Sequence, residues 1–145
     1  NNMEKGKVTF TMIKPTAFKN RFTGDILKMI YSNGYRIIAL KMTQLTVSQA
    51  KAFYKEHEGR PFYDELCEFM SSGPIIAAVL EKENAVEDYR KLIGSTNPKE
   101  AEAGTIRSVF GLNIQQNAVH GSDSEERALQ EAWFFFSDLE IFINF

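Results

Sequence analysis

"KVTFTMIKPTAFKNRFTGDILKMIYSNGYRIIALKMTQL", residues 7–45, decides the fold. Its opening alternates, with Val8, Phe10 and Met12 on one face and Thr9, Thr11 and Ile13 on the other, until Pro15, which has no backbone N–H to give, stops the ladder. Lys14 therefore stands at a strand end. The apolar spacing then changes to that of a helix: Thr23 is placed to cap it, Ile26, Leu27, Ile30 and Tyr31 share a face, and Gly34 is the stop signal. Residues 35–45 read as a second long strand.

Moving outward, Thr46 and Gln49 form a T-x-x-Q capping box that opens a helix running to about Glu58, closed by Gly59 and Pro61. A short helix at roughly 63–72 turns Leu66, Phe69 and Met70 inward, and Gly73-Pro74 breaks it before the buried strand "IIAAVLE". Asn84 can cap a helix with Val86, Tyr89 and Ile93 on one face, ending at Gly94. From Ser95 to about Gln116 no long periodic element appears, and so long an irregular segment in a compact domain is expected to be a binding loop. "NAV" is a brief strand, and "SDSEERALQEAWFFF" is a last helix with Ala128, Leu129, Ala132 and Trp133 inward. The order is β-α-β, a helical-hairpin insertion, then β-α-loop-β-α. That is an α+β plan: a ferredoxin-like split βαβ sandwich with a four-stranded antiparallel sheet covered by helices. The plan alone names no activity.

Length suits one domain, expected over 4–145, with "NNM" read as an expression remnant and start methionine. A net charge of -2 and a pI near 5.8 argue against a nucleic-acid surface built on bulk charge, so any anion site must be a local cluster. Cys67 is the only cysteine, which rules out an intrachain disulfide and fits a reducing compartment. The longest aliphatic run, "PIIAAVL", is too short to span a bilayer, and no basic-then-apolar leader precedes the first strand. A soluble cytoplasmic protein without a membrane partner is expected.

The chain has no G-x-x-x-x-G-K-[ST], no G-x-G-x-x-G, no cysteine pair and no H-x-x-x-H, so the common phosphate, dinucleotide and zinc signatures are missing. Of its two histidines, His57 in "KEHEGR" reads as a solvated residue at a helix end. His120 precedes Gly121 and a helix start, where free N–H groups and the hydroxyl of Ser122 suit an anion. On pattern alone it is either a nucleophile toward a phosphoryl group or a structural imidazole bonded to a nearby carbonyl. A phosphate site needs cations and donors; Arg90, Thr96 and Arg107 flank the long loop and read either as ligands or as surface and turn residues. Phe62, in "RPF", either stacks on a nucleobase or anchors its loop to the core.

"NAVHGSDS", with "TMIKP", "FYKEHEGRPFY", "FMSSGPIIAAVLE", "LIGSTNPKEAEAGTIR" and "EAWFF", resembles the nucleoside diphosphate kinase family, in order and over nearly the whole chain. The resemblance implies transfer of the terminal phosphate of a nucleoside triphosphate, typically ATP, to a nucleoside diphosphate by a ping-pong route through a phosphohistidine at His120. It implies that Glu131 holds the imidazole's other nitrogen, that Ser122 lies beside the histidine, and that Lys14 and Tyr54 lie beside the moving phosphate. It further implies Arg90, Thr96 and Arg107 as phosphate ligands, Asn117 as a ribose ligand and Phe62 as the ring under the base. Mg²⁺ is implied as a companion of the nucleotide phosphates, with no resident metal site in the chain. A homo-oligomer, tetramer or hexamer built from dimers, is implied as well. Ser95 and "EAEAG" depart from the usual family forms but touch none of these positions. The readings that compete are a nucleotide-binding regulatory module without turnover and an assembly protein using the sheet as a surface.

Overall fold

The computed structural model describes residues 3–145. Asn1 and Asn2 of the expected remnant lie outside the described residues, whereas Met3 packs against the core. In chain order the elements are β1 (Val8–Ile13), α1 (Pro15–Lys19), α2 (Thr23–Ser32), β2 (Arg36–Thr43), α3 (Val47–Phe53), α4 (Tyr63–Met70), β3 (Ile75–Glu81), α5 (Ala85–Ile93), α6 (Ile106–Phe110), β4 (Val119–Gly121) and α7 (Glu125–Phe135). Single 3₁₀ turns follow α3, at Lys55–His57, and α7, at Asp138–Glu140.

Among the described residues the strands form one sheet in the order β2-β3-β1-β4, every pair antiparallel. All six residues of β1 are buried, as a central strand covered on both faces requires. Its alternation separates two cores. Val8, Phe10 and Met12 join the layer with Phe53, Cys67, Met70, Ala132 and Phe135. Ile13, on the other face, joins Ile26, Ile30, Tyr89, Ile93 and Ile106. Burying each such large side chain stabilises the fold by roughly 1.5–3 kcal/mol before entropy is counted. The split βαβ plan is present, with α3 and α4 as the inserted hairpin.

Several local features differ from the sequence reading. Pro15 ends the strand but also opens α1, because a proline's missing N–H costs nothing at a helix's first position. Thr23 is inside α2 rather than before it, and Tyr31 is 61% exposed, so only Ile26 and Ile30 carry that face into the core. The Thr46–Gln49 capping box forms, but α3 stops at Phe53 and tightens into the 3₁₀ turn. On α7 the inward positions are Ala128, Glu131, Ala132 and Phe135; Trp133 is 43% exposed. A carboxylate at an inward position is where the fold becomes chemistry.

Candidate active site

Three residues of β4 hang on β1, with Met12 opposite His120. The backbone there is closely held. Thr11 Oγ1 donates to the His120 carbonyl at 2.7 Å, and Lys14 N–H donates to the Ala118 carbonyl at 2.9 Å. Gly121 follows the histidine because a Cβ there would meet Ile93 Cδ1 at 2.8 Å and the Tyr89 ring at 3.3 Å. His120 is thus fixed by backbone it does not choose.

Its ring is fixed as well. Phe53 and Tyr54 meet it edge-on at centroid distances of 5.3 and 6.1 Å, and Phe10 lies 6.0 Å away. Nε2 pairs with Glu131 Oε1 at 2.8 Å. The same oxygen accepts from Ser122 Oγ at 2.7 Å, while Oε2 accepts from Arg127 Nη2 at 3.2 Å. Burial pushes the Glu131 carboxyl up, but His120, Ser122 and Arg127 outweigh it and hold the carboxyl below its ordinary value. An ionised carboxylate only accepts, so Nε2 carries the hydrogen and the neutral ring keeps its lone pair on Nδ1. No hydrogen bond is made to Nδ1 among the described residues.

His120 lines a cavity of about 720 Å³. Lys14, Tyr54, Phe62, Arg90, Thr96, Arg107, Asn117 and Glu131 line it too, so the structure gathers nearly all the residues expected from sequence. Ser122 is the exception: it is 1% exposed and sits behind the wall, its hydroxyl committed to Glu131 rather than offered to an anion. At the start of α7 the Ser124 cap takes the Arg127 N–H, and the acidic Glu125 and Glu126 occupy the first turn. The positive character of the cavity comes from side chains.

Lys14 is buried, and burial with Arg107 nearby brings its ammonium down to about 7. Arg107 gives Nη1 to the Gly94 carbonyl at 3.0 Å and Nη2 to the Val119 carbonyl at 2.9 Å, and its Nε is buried without a partner. Burial lowers it to about 10, which leaves it a cation at neutral pH. Burial, with Glu131 adding to it, pushes the Tyr54 phenol above its ordinary value, so the hydroxyl stays a donor, and it too is buried without a partner. Asn117 donates to the Thr96 carbonyl at 3.0 Å while its Oδ1 is unpartnered. With Arg127 Nε, four buried polar atoms of residues that line the cavity lack partners, which marks a place that a polar ligand completes.

Among the cavity residues that sequence reasoning did not assign to the site, three stand out. His57 is not merely solvated: it lies between the Tyr54 ring at 6.2 Å and the Phe62 ring at 5.5 Å. Ile114, 59% exposed, shares the cavity rim with Phe62, 45% exposed. Arg127 stands four residues before Glu131, a spacing that signals a helical ion pair. Among the described residues no group of three or more His, Cys, Asp or Glu is arranged to hold a metal ion, and no helix is long and apolar enough to cross a membrane.

Residues 7–141 match the family model described as nucleoside diphosphate kinase. A nucleoside diphosphate kinase of Flavobacterium psychrophilum is 55% identical over 92% of this chain and 96% of its own, and one of Persephonella marina is 53% identical over 92% and 95%. Among solved structures, the Aquifex aeolicus nucleoside diphosphate kinase superposes with a TM-score of 0.92 at 45% identity, covering 94% of this chain and 99% of its own. A halophilic one from Halobacterium salinarum, in complex with CDP, gives 0.91 at 34% identity, covering 95% and 92%.

Proposed function

The chain belongs to the nucleoside diphosphate kinase family and is a nucleotide phosphotransferase; on that premise we propose that Nδ1 of His120 carries the phosphoryl group between nucleotides. In the first half-reaction the Nδ1 lone pair attacks the terminal phosphorus, and the bond from that phosphorus to its bridging oxygen breaks as the new N–P bond forms. A nucleoside diphosphate leaves. In the second, the terminal oxygen of another diphosphate takes the phosphoryl group back off nitrogen and frees the imidazole.

One observation carries this reading above the rest: Nε2 is held by an ionised Glu131 while Nδ1 is left open beside a cationic cavity. Positive charge builds on the ring as Nδ1 bonds to phosphorus, and the fixed carboxylate stabilises it without rearrangement. Ser122 acts through Glu131, orienting it. Lys14, Arg90 and Arg107 neutralise the phosphates, Thr96 and Tyr54 give them hydroxyl donors, and the free Oδ1 of Asn117 accepts from a ribose hydroxyl. Phe62 and Ile114 hold the base by its faces, which discriminates little between bases. The CDP complex of the Halobacterium salinarum relative supports a nucleoside diphosphate as occupant.

Family members act on nucleotides with a divalent metal. We assign Mg²⁺, entering as part of the substrate on its phosphate oxygens, where it neutralises phosphate charge. A single domain over 4–145, a cytoplasmic setting and assembly into a homo-oligomer belong to the same proposal. The exposed Leu40 and Met42 on the edge strand β2 support assembly.

ATP labelled at its terminal phosphate tests the reaction. An acid-labile, base-stable phosphoprotein that discharges onto GDP is expected, and His120→Ala should abolish it. Labelling and transfer that survive in His120→Ala would overturn the assignment.

A further inference from the structure

We infer that Arg127 is a positioning residue for phosphoryl transfer, clamping Glu131 between His120 and the Phe53–Glu56 segment that carries Tyr54. The inference rests on the reading of His120 given above. It starts from one guanidinium. Nη2 lies 3.2 Å from Glu131 Oε2, 3.4 Å from Glu56 Oε1 and 3.5 Å from the Phe53 carbonyl, and Nη1 donates to Gln130 Oε1 at 3.0 Å. Its side chain is only 26% exposed and that of Glu131 4%, so this pair is not a loose surface one.

The division of labour on the carboxylate is the point. Oε1 already serves His120 and Ser122, and a carboxylate can rotate about its last bond; Arg127 occupies Oε2 and removes that freedom. The second end of the clamp reaches across to α3 and its 3₁₀ turn. There Phe53 and Tyr54 pack edge-on against the same imidazole whose Nε2 Glu131 holds. Arg127 thus ties the carboxylate that orients the ring to the aromatic wall that confines it. Both Nη atoms of Arg127 are taken within the protein, by Gln130 and by Glu131.

The groups facing Glu131 are His120 from β4, Tyr54 from the end of α3 and Arg127 from its own helix, with Glu56 behind the arginine. Replacing the guanidinium by an apolar side chain takes a cation from the His120–Glu131 pair, so the pair takes up a proton at higher pH. The acid limb of activity must then move up.

The test measures the rate of phosphoenzyme formation at saturating ATP, the apparent ATP affinity and the pH dependence of the rate, for the parent, Arg127→Met and Arg127→Lys. Arg127→Met should lose roughly tenfold in the saturating rate, with its acid limb displaced upward and ATP affinity within about twofold of the parent. Arg127→Lys keeps the charge but not the fork; its acid limb should return toward the parent's and its rate should recover only in part. If Arg127→Met matches the parent in both rate and acid limb, or if its whole loss is in ATP affinity, the inference is overturned. His120→Ala in parallel separates the failures: persistent labelling there removes the underlying reading, whereas lost labelling with a silent Arg127→Met removes only the clamp.

Discussion

The two halves of the cavity are built on different terms. On the side of β4 and α7, His120, Ser122 and Arg127 together engage both oxygens of Glu131, and the carboxylate is 3% exposed. On the side of α4 and the 95–116 loop, Phe62, Thr96 and Ile114 stand open, and Asn117, Tyr54 and Arg107 each keep a polar atom unpartnered. In the first half the carboxylate is fully engaged before a ligand arrives, whereas the second is completed by one. Catalysis gains from groups fixed in advance where charge develops, whereas binding of varied nucleotides gains from contacts that tolerate change. Substitutions should therefore separate into those that lower the rate and those that lower affinity.

The largest separation is expected from His120→Ala, which should reduce exchange between ATP and GDP by about 10⁴-fold or more while ADP affinity, followed by calorimetry, changes only severalfold. Next, Glu131→Gln should lower the saturating transfer rate by about 10²-fold, because an amide can neither stabilise the charged ring nor fix which nitrogen bears the hydrogen. An equal loss in ADP affinity would place the carboxylate in the binding half and break the contrast. On the open side, Phe62→Ala should raise KM severalfold, leaving kcat and the melting temperature close to those of the parent, since its ring is 45% exposed.

The smallest effect is a proton count. Burial holds Lys14 down at about 7 in the unliganded protein against 10.5 for an ordinary lysine. The folded chain therefore binds fewer protons than the unfolded one across that window, and this group makes the unliganded protein more stable as pH rises from about 7 to 10.5. Phosphates favour the ammonium form, so ADP binding at pH 8 should take up as much as about one proton per site, read from the buffer dependence of the binding enthalpy. Lys14→Met should abolish the uptake. Uptake of the same size in Lys14→Met would assign it elsewhere.

Where the physics was local, the sequence was sufficient. The alternation of β1, the Thr46–Gln49 box and the Gly94 stop are decided by neighbours in the chain, and each appears at the expected place. The stop of α3 at Phe53 was not legible, because no breaker stands there and the chain only tightens into the 3₁₀ turn at Lys55–His57. Trp133 misled for a related reason: an aromatic ring reads as core, but the inward line of α7 runs through Ala128, Glu131, Ala132 and Phe135. The matched site residues came together because a motif identifies positions without needing the geometry between them. Ser122 shows the limit: the motif names it two residues after His120, but its direction toward Glu131 was not legible. Arg127 had only a four-residue spacing to Glu131 to recommend it, and its contacts with Phe53 and Glu56 exist only in the folded chain.

The central claim is that Glu131 reserves Nε2 and leaves Nδ1 to react. Nitrogen-15 and phosphorus-31 NMR of the phosphoprotein, prepared with ATP and labelled histidine, test it directly. The account predicts one phosphoryl group on Nδ1 of His120, with a hydrogen still on Nε2; phosphate on Nε2, or on any other residue, would contradict it.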